Sequence, residues 1–167
     1  SIVLSTHKQL SAGADKKKMR KKIWIRAIKI FALGIFLNLF PHFDFAELRI
    51  PGVLQRIAIV YLVCALIFLS TDWKAQVKIA AAGLIGYWLA MVLIPVPGIG
   101  AGVLEPGQNL AAWIDSLLIP GKMWQGSWDP EGLLSTIPAI VTGITGMLAG
   151  QLIKQDMPIE KILNYLF

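Results

Sequence analysis

Four long apolar runs constrain this chain more than any other feature: residues 23–40, 53–70, 77–94 and 133–153. A helix needs roughly 20 mostly apolar residues to cross a bilayer. Only 16% of the residues are charged, against about 25% in ordinary soluble domains. Inside a bilayer every backbone polar group must be paired within the protein, which a helix does by itself. The expected fold is therefore all-α: a polytopic helical membrane bundle with four full transmembrane helices and one long external loop at 95–132. Residues 1–5, "SIVLS", read as the tail of an earlier helix, and the chain lacks an initiator methionine. It therefore reads as an internal piece of a longer membrane protein, a single partial domain over 1–167.

Charge is distributed unevenly between the two ends of the expected bundle. The net charge is +6, and most of the cations fall in residues 6–22, in the short turn near Lys74 and Lys78, and beyond the last span. If every helix crosses the membrane, these segments share one face. The positive-inside rule makes that face cytoplasmic, with 6–22 as a basic cytoplasmic loop able to attract anionic membrane lipids. The opposite face carries Arg49, Arg56 and Lys122 beside Asp44, Glu47, Glu105, Asp115, Asp129 and Glu131. A nucleic-acid partner is not expected, because no aromatic residues interleave with the lysines. Cys64 is the single cysteine and reads as a small buried hydrophobe.

The long loop has internal order. Leu110, Trp113, Ile114, Leu117 and Leu118 recur at helical spacing behind Asn109, which predicts a short capped amphipathic helix. "GIGAG" is not read as a nucleotide loop, since no strand precedes it. At the start of the last span, Asp129 is expected to cap the helix, Pro130 to occupy its first position, and Glu131 to favour its positive end. Pro138 should kink it. Ala82/Gly86 and Gly146/Gly150 are spaced for close helix contact.

Arg49 and Arg56 stand against the charge bias. Arg56 lies about 6 Å into its helix, four residues past Gly52 at 1.5 Å per residue. A charge at the bilayer centre costs at least about 2.5 kcal/mol, so even at shallower depth a partner or a water-filled cavity is expected. One reading has Arg56 snorkelling to the interface. The other has Arg49, Gln55 and Arg56 lining a polar cavity shared with Asp129 and Glu131, whose carboxylates can hold an amine or act as general bases. Trp124 and Trp128 are interfacial anchors or a surface on which a sugar ring stacks. His42 has no second histidine near it, and no metal site is expected.

Longer strings carry more information. "LRIPGVLQRIA", "LIPVPG" and "WDPEGLLSTIPAIVTGITGMLAG", preceded by "KIWIRA" and "LGIFLN", resemble the heparan-α-glucosaminide N-acetyltransferase family and its bacterial relatives. The resemblance covers nearly the whole chain. It implies a polytopic enzyme, here in a bacterial inner membrane, that takes an acetyl group from cytoplasmic acetyl-CoA and delivers it to the amine of an amino sugar on the other side. The histidine associated with the family's chemistry would lie upstream of Ser1; His42 does not match it. Under this resemblance Arg56 and Gln55 organise the acyl or oxyanion end of the cavity. Asp129 or Glu131 positions the acceptor amine, with Arg49 and Trp128 nearby. Arg26 and Lys29 attract the phosphates of CoA at the cytoplasmic mouth. Expected partners are membrane lipids, the glycan acceptor, the remaining helices of the same protein and a second copy. The rival readings are a glycan or lipid-headgroup transport component and a non-catalytic membrane scaffold.

Overall fold

The structure, a computed structural model, describes residues 2–3, 13, 15–45, 48–121, 123–124, 126 and 128–154. The expectations for His7, Lys8, Glu47, Lys122 and Lys161 lie outside these residues, as do those for Ser1, for residues 4–5, and for 6–12 and 14 of the basic segment. Five helices make up the named elements: α1 (Lys16–Leu39), α2 (Val53–Ser70), α3 (Trp73–Leu93), α4 (Leu110–Leu118) and α5 (Thr136–Ile153). Among the described residues there are two isolated backbone bridges and no strand. The all-α expectation holds.

Three helices are long and apolar enough to cross a membrane: α2, α3 and α5. The protein is therefore an integral membrane protein. The first expected span, 23–40, behaves differently. Residues 16–22, expected as loop, form the first turns of α1, because the Asp15 side chain accepts from Lys17 N at 2.9 Å and caps the helix. Lysine and arginine are good helix formers, and a stripe of Met19, Ile23 and Ala27 at every fourth position is buried. The last eighteen residues of α1 still hold Lys22, Arg26 and Lys29, so this helix is more charged than the other three.

Helix α2 has the expected bounds. Helix α3 starts four residues earlier than expected, at Trp73, because Asp72 accepts from Ala75 N at 3.2 Å. Helix α5 starts later than expected. Asp129 is not its cap and Pro130 is not its first residue; residues 130–135 form turns, with Gly132 N donating to Asp129 O, Thr136 N to Leu133 O and Ile137 N to Leu134 O, each at 3.1 Å. The cause is that the Asp129 carboxylate is committed elsewhere. The late start also puts Pro138 in the first turn of α5, where a missing N–H loses no helical bond.

Helices α1 and α2 pack antiparallel, α2 and α5 run together, and α5 packs antiparallel to α3, so the spatial order is α1, α2, α5, α3. The central seam between α2, α5 and α3 is filled by Cys64, Ala80, Ile144 and Met147, with Val3 inserted against them. Met19, Ile23, Ala65 and Leu69 fill the α1/α2 seam. The outer faces of α1 and α3 leave Trp24, Ile28, Phe36, Leu84, Ile85 and Trp88 exposed, as suits side chains that meet lipid or further helices.

The close helix contacts differ from those expected. A Cβ on Gly86 or Gly146 would meet nothing within 4 Å. The backbones approach instead at Gly143, where a Cβ would lie 2.6 Å from Cys64 Sγ, and at Gly83, 3.1 Å from Val141. Gly150 does make its contact, 3.2 Å from Val3. Spacing alone finds small residues; which face turns inward depends on helix rotation.

At one end of the bundle lie the lysines of α1, Lys74, Lys78 and Lys154. At the other lie the ends of α1 and α3, the starts of α2 and α5, and α4. Helix α4 is capped as expected, Asn109 accepting from Ala112 N at 2.9 Å. Leu110, Ala111, Ala112 and Asp115 are buried, while Leu117 and Leu118 are exposed. Leu110 and Ala111 pack with Met91 and Val96 beside Leu134, and this contact turns Asp115 inward.

Candidate functional site

The segment before α2 is held by α1. Asn38 Nδ2 donates to Arg49 O at 2.7 Å and to Pro51 O at 3.4 Å. Pinned in this way, Arg49 reaches across to the turns before α5. Its Nε donates to Asp129 Oδ2 and its Nη2 to Asp129 Oδ1, both at 2.6 Å, and Nη2 also donates to Glu131 Oε2 at 2.5 Å. The Asp129 side chain has no exposed surface and that of Arg49 is 20% exposed. The guanidinium also lies over the Trp124 ring, 5.0 Å from its centroid.

Asp129 accepts further bonds from Trp124 N at 3.1 Å and Glu131 N at 3.0 Å. Burial pushes its carboxyl up, but the bonds from Arg49, Glu131 N and Trp124 N outweigh that and hold it below the ordinary value. The hydrogen bond to Asp129 in turn raises Arg49. Four donors saturate the Asp129 carboxylate, so Asp129 clamps the fold and is poorly placed to take a proton. Glu131 is different: among the described residues its side chain is held by Arg49 alone, and it lines the cavity described next.

Arg56 Nη2 donates to Pro130 O at 2.8 Å and to Ser135 Oγ. The two arginines thus tie the start of α2 to the turns before α5, some eighty residues later. Between these segments lies a cavity of about 170 Å³, walled by Phe31, Ile59, Leu118 and Leu133 and lined by Gln55, Arg56 and Glu131. Gln55 is 3% exposed, with its amide oxygen 2.5 Å from where a Cβ on Gly34 or Gly52 would sit. Glycine at both positions is what lets it lie there. Among the described residues, two buried donors on the cavity-lining side chains find no partner: Gln55 Nε2 and Arg56 Nε. A buried donor without an acceptor costs roughly 1–3 kcal/mol, and folds retain such groups where a ligand or water supplies the acceptor.

The structure therefore gathers Arg49, Gln55, Arg56, Asp129 and Glu131 at one place, and it separates the other candidates. Trp128 is half-buried and does not line the cavity, and Trp124 takes the stacking contact with Arg49. Arg26 and Lys29 are exposed on α1, with Arg26 over the Tyr61 ring at 5.1 Å. Neither cation lines the cavity, whose wall on this helix is Phe31, two residues beyond Lys29. His42 is exposed. Among the described residues, no cluster of three or more His, Cys, Asp or Glu side chains could hold a metal ion.

Two members of the site escaped the sequence reading. Ser135 was hidden among ordinary helix-start residues. Asp115 had a visible signal: it stands four residues after Ala111, on the face that packs inward.

No family model matches the chain. Comparison with curated proteins does find relatives. The chain is 28% identical over 205 aligned positions to heparan-alpha-glucosaminide N-acetyltransferase of Homo sapiens and 27% identical to that of Mus musculus. Each alignment takes in 92% of this chain, which spans about 30% of the length of these relatives. The resemblance carried by the Arg-Ile-Pro-Gly-Val-Leu-Gln-Arg and Asp-Pro-Glu-Gly strings thus extends to nearly the whole chain: it is an integral membrane protein similar in sequence to heparan-alpha-glucosaminide N-acetyltransferases.

Proposed function

We propose that this chain is part of a membrane N-acetyltransferase, and that the cavity between α2 and the turns before α5 holds the acyl carbonyl during transfer to an amine. The observation that carries the reading is the pair of unpartnered buried donors, Gln55 Nε2 and Arg56 Nε, on residues lining one cavity with Glu131. Two preorganised donors suit an oxyanion that develops on a carbonyl oxygen. Glu131 has the acceptor capacity to hold the incoming ammonium group and take its proton. Arg49 and Asp129 fix the turn that presents Glu131.

Acetyl-CoA is the proposed donor, supplying an activated thioester. A cavity of about 170 Å³ has room for a short acyl group. Arg26 and Lys29 remain proposed contacts for the CoA phosphates at the lysine-rich end. The positive-inside rule puts that end in the cytoplasm, in our proposal that of a bacterium, with the amino-sugar acceptor meeting the cavity on the other side.

The test uses the complete protein reconstituted in lipid. Acetyl-CoA should be consumed only when an amino sugar is present, and Arg56→Met should lower turnover by about 10²–10³ while the protein still inserts and folds. Movement of an unmodified glycan without acetyl-CoA consumption would replace the reading with a transport role. Near-normal turnover in Arg56→Met would remove the oxyanion assignment.

A further inference from the structure

Asp115 is 1% exposed on a helix whose buried neighbours are Leu110, Ala111 and Ala112. Its Oδ1 accepts from Leu133 N at 2.8 Å. Its carboxylate fills the space that a Cβ on Gly132 would need, so glycine there is what admits it. Burial pushes the carboxyl up, against the opposing bonds from Leu133 N and Leu134 N. Arg56 and Asp129 are the other charged groups that act on it. Neither Arg49 nor Arg56 makes a hydrogen bond or ion pair to it. A buried carboxylate on an otherwise apolar face is costly unless hydrogen-bonded, and the bond it makes goes to the segment that carries Glu131.

The same strap of chain is fixed at its other end. Gly121 pairs with Arg49 in a backbone bridge, and at φ +90° it lies against Leu48 O. Between these two attachments, Leu118, Ile119 and Pro120 form a wall of the cavity facing Glu131 and Leu133. Residues 110–121 therefore span the two segments that hold the site. They are latched to one by Asp115 and to the other by Gly121.

We propose that Asp115 is a positioning residue: by holding Leu133 N and seating on Gly132 it sets both the wall formed by α4 and the turn that presents Glu131 and the Arg56 acceptors. The inference rests on the acetyltransferase reading for its kinetic consequence, though not for its structural one. Loosening the latch shifts Glu131 and the Pro130 and Ser135 anchors of Arg56 together, so kcat falls more than KM.

The complete protein is compared with Asp115→Ala, Asp115→Asn and Gly132→Ala. Asp115→Ala should lower kcat roughly tenfold or more with KM for the acceptor changed far less, the scale of one lost hydrogen bond in a packed turn. Asp115→Asn keeps an acceptor oxygen for Leu133 N and should restore most of the rate. Gly132→Ala, which displaces Asp115 from the other side, should reproduce the alanine phenotype. A second readout needs no activity. Thr136 is 8% exposed beside the cavity, and in a Thr136→Cys background the introduced thiol should react faster with a small maleimide when Asp115→Ala is added, and not when Asp115→Asn is added. Cys64, fully buried in the central seam, reports general loosening in the same experiment. Unchanged kcat and unchanged labelling in Asp115→Ala would overturn the proposal. So would Cys64 labelling in both Asp115→Ala and Gly132→Ala, which would make Asp115 a residue of the fold alone. If the parent protein transfers no acetyl group but the labelling pattern appears, the latch stands and the acetyltransferase reading fails.

Discussion

Replacing Arg49 with methionine tests the account of the site most directly. The substitution removes three hydrogen bonds of 2.5–2.6 Å and leaves Asp129, whose side chain has no exposed surface, without its cation. Breaking a buried pair from one side costs about 3–5 kcal/mol, mostly because the remaining charge is stranded. Asp129 keeps the backbone N–H groups of Trp124 and Glu131, which puts the expected loss near the lower figure, about 3 kcal/mol. That corresponds to a melting shift of roughly 6–12 °C for a chain of this size. Thermal unfolding in one detergent, at one scan rate, measures it for Arg49→Met, Asp129→Asn and the double variant. The neutral amide that Asp129→Asn introduces has no charge to strand, so adding this change to Arg49→Met should recover stability where independent effects would accumulate. Strictly additive losses would refute the reasoning and reduce the bridge to an ordinary surface pair. The pH dependence has a fixed sign. Asp129 is held below the ordinary value of 3.8, so its contribution is fully present above pH 3.8 and is lost as pH falls through the lower, folded-state value. Arg49→Met should flatten that acid limb.

Two further outcomes follow from packing and charge. Gly143→Ala places a methyl 2.6 Å from Cys64 Sγ and 3.0 Å from Val60, and should cost about 1–3 kcal/mol in the same melts; Gly146→Ala, with nothing within 4 Å, should be neutral or stabilising by up to about 1 kcal/mol. Equal effects at the two glycines would count against the helix rotation described here. Arg26→Gln and Lys29→Gln should raise the KM for acetyl-CoA without lowering kcat if these cations meet the CoA phosphates; an unchanged KM would leave them as determinants of topology alone.

The membrane-spanning character was legible because it depends on run length and composition: 53–70 appears with its expected bounds. The helix starts were less legible. Asp15, Asp72, Asn109 and Asp129 look alike in sequence as caps. The first three cap a helix; the fourth is drawn away by Arg49, eighty residues earlier in the chain. Local signals cannot show a competitor that only folding brings near.

The site divides in the same way. Sequence strings brought Arg49, Gln55, Arg56, Asp129 and Glu131 together as a group, because unusual charges at one end of a bundle need partners. What sequence left open was how the roles divide among them. Tertiary structure saturates Asp129 with four donors, leaves Glu131 with acceptor capacity, and strands Gln55 Nε2 and Arg56 Nε beside a cavity. It also turns Asp115 inward by packing Leu110 and Ala111 against Met91 and Val96. Composition determined that this chain lives in a membrane as helices, since a long apolar run must pair its own backbone there. Only the three-dimensional packing decided which polar group is spent on the fold and which is left for chemistry, since hydrogen-bond capacity is consumed by whichever partner folding brings within reach.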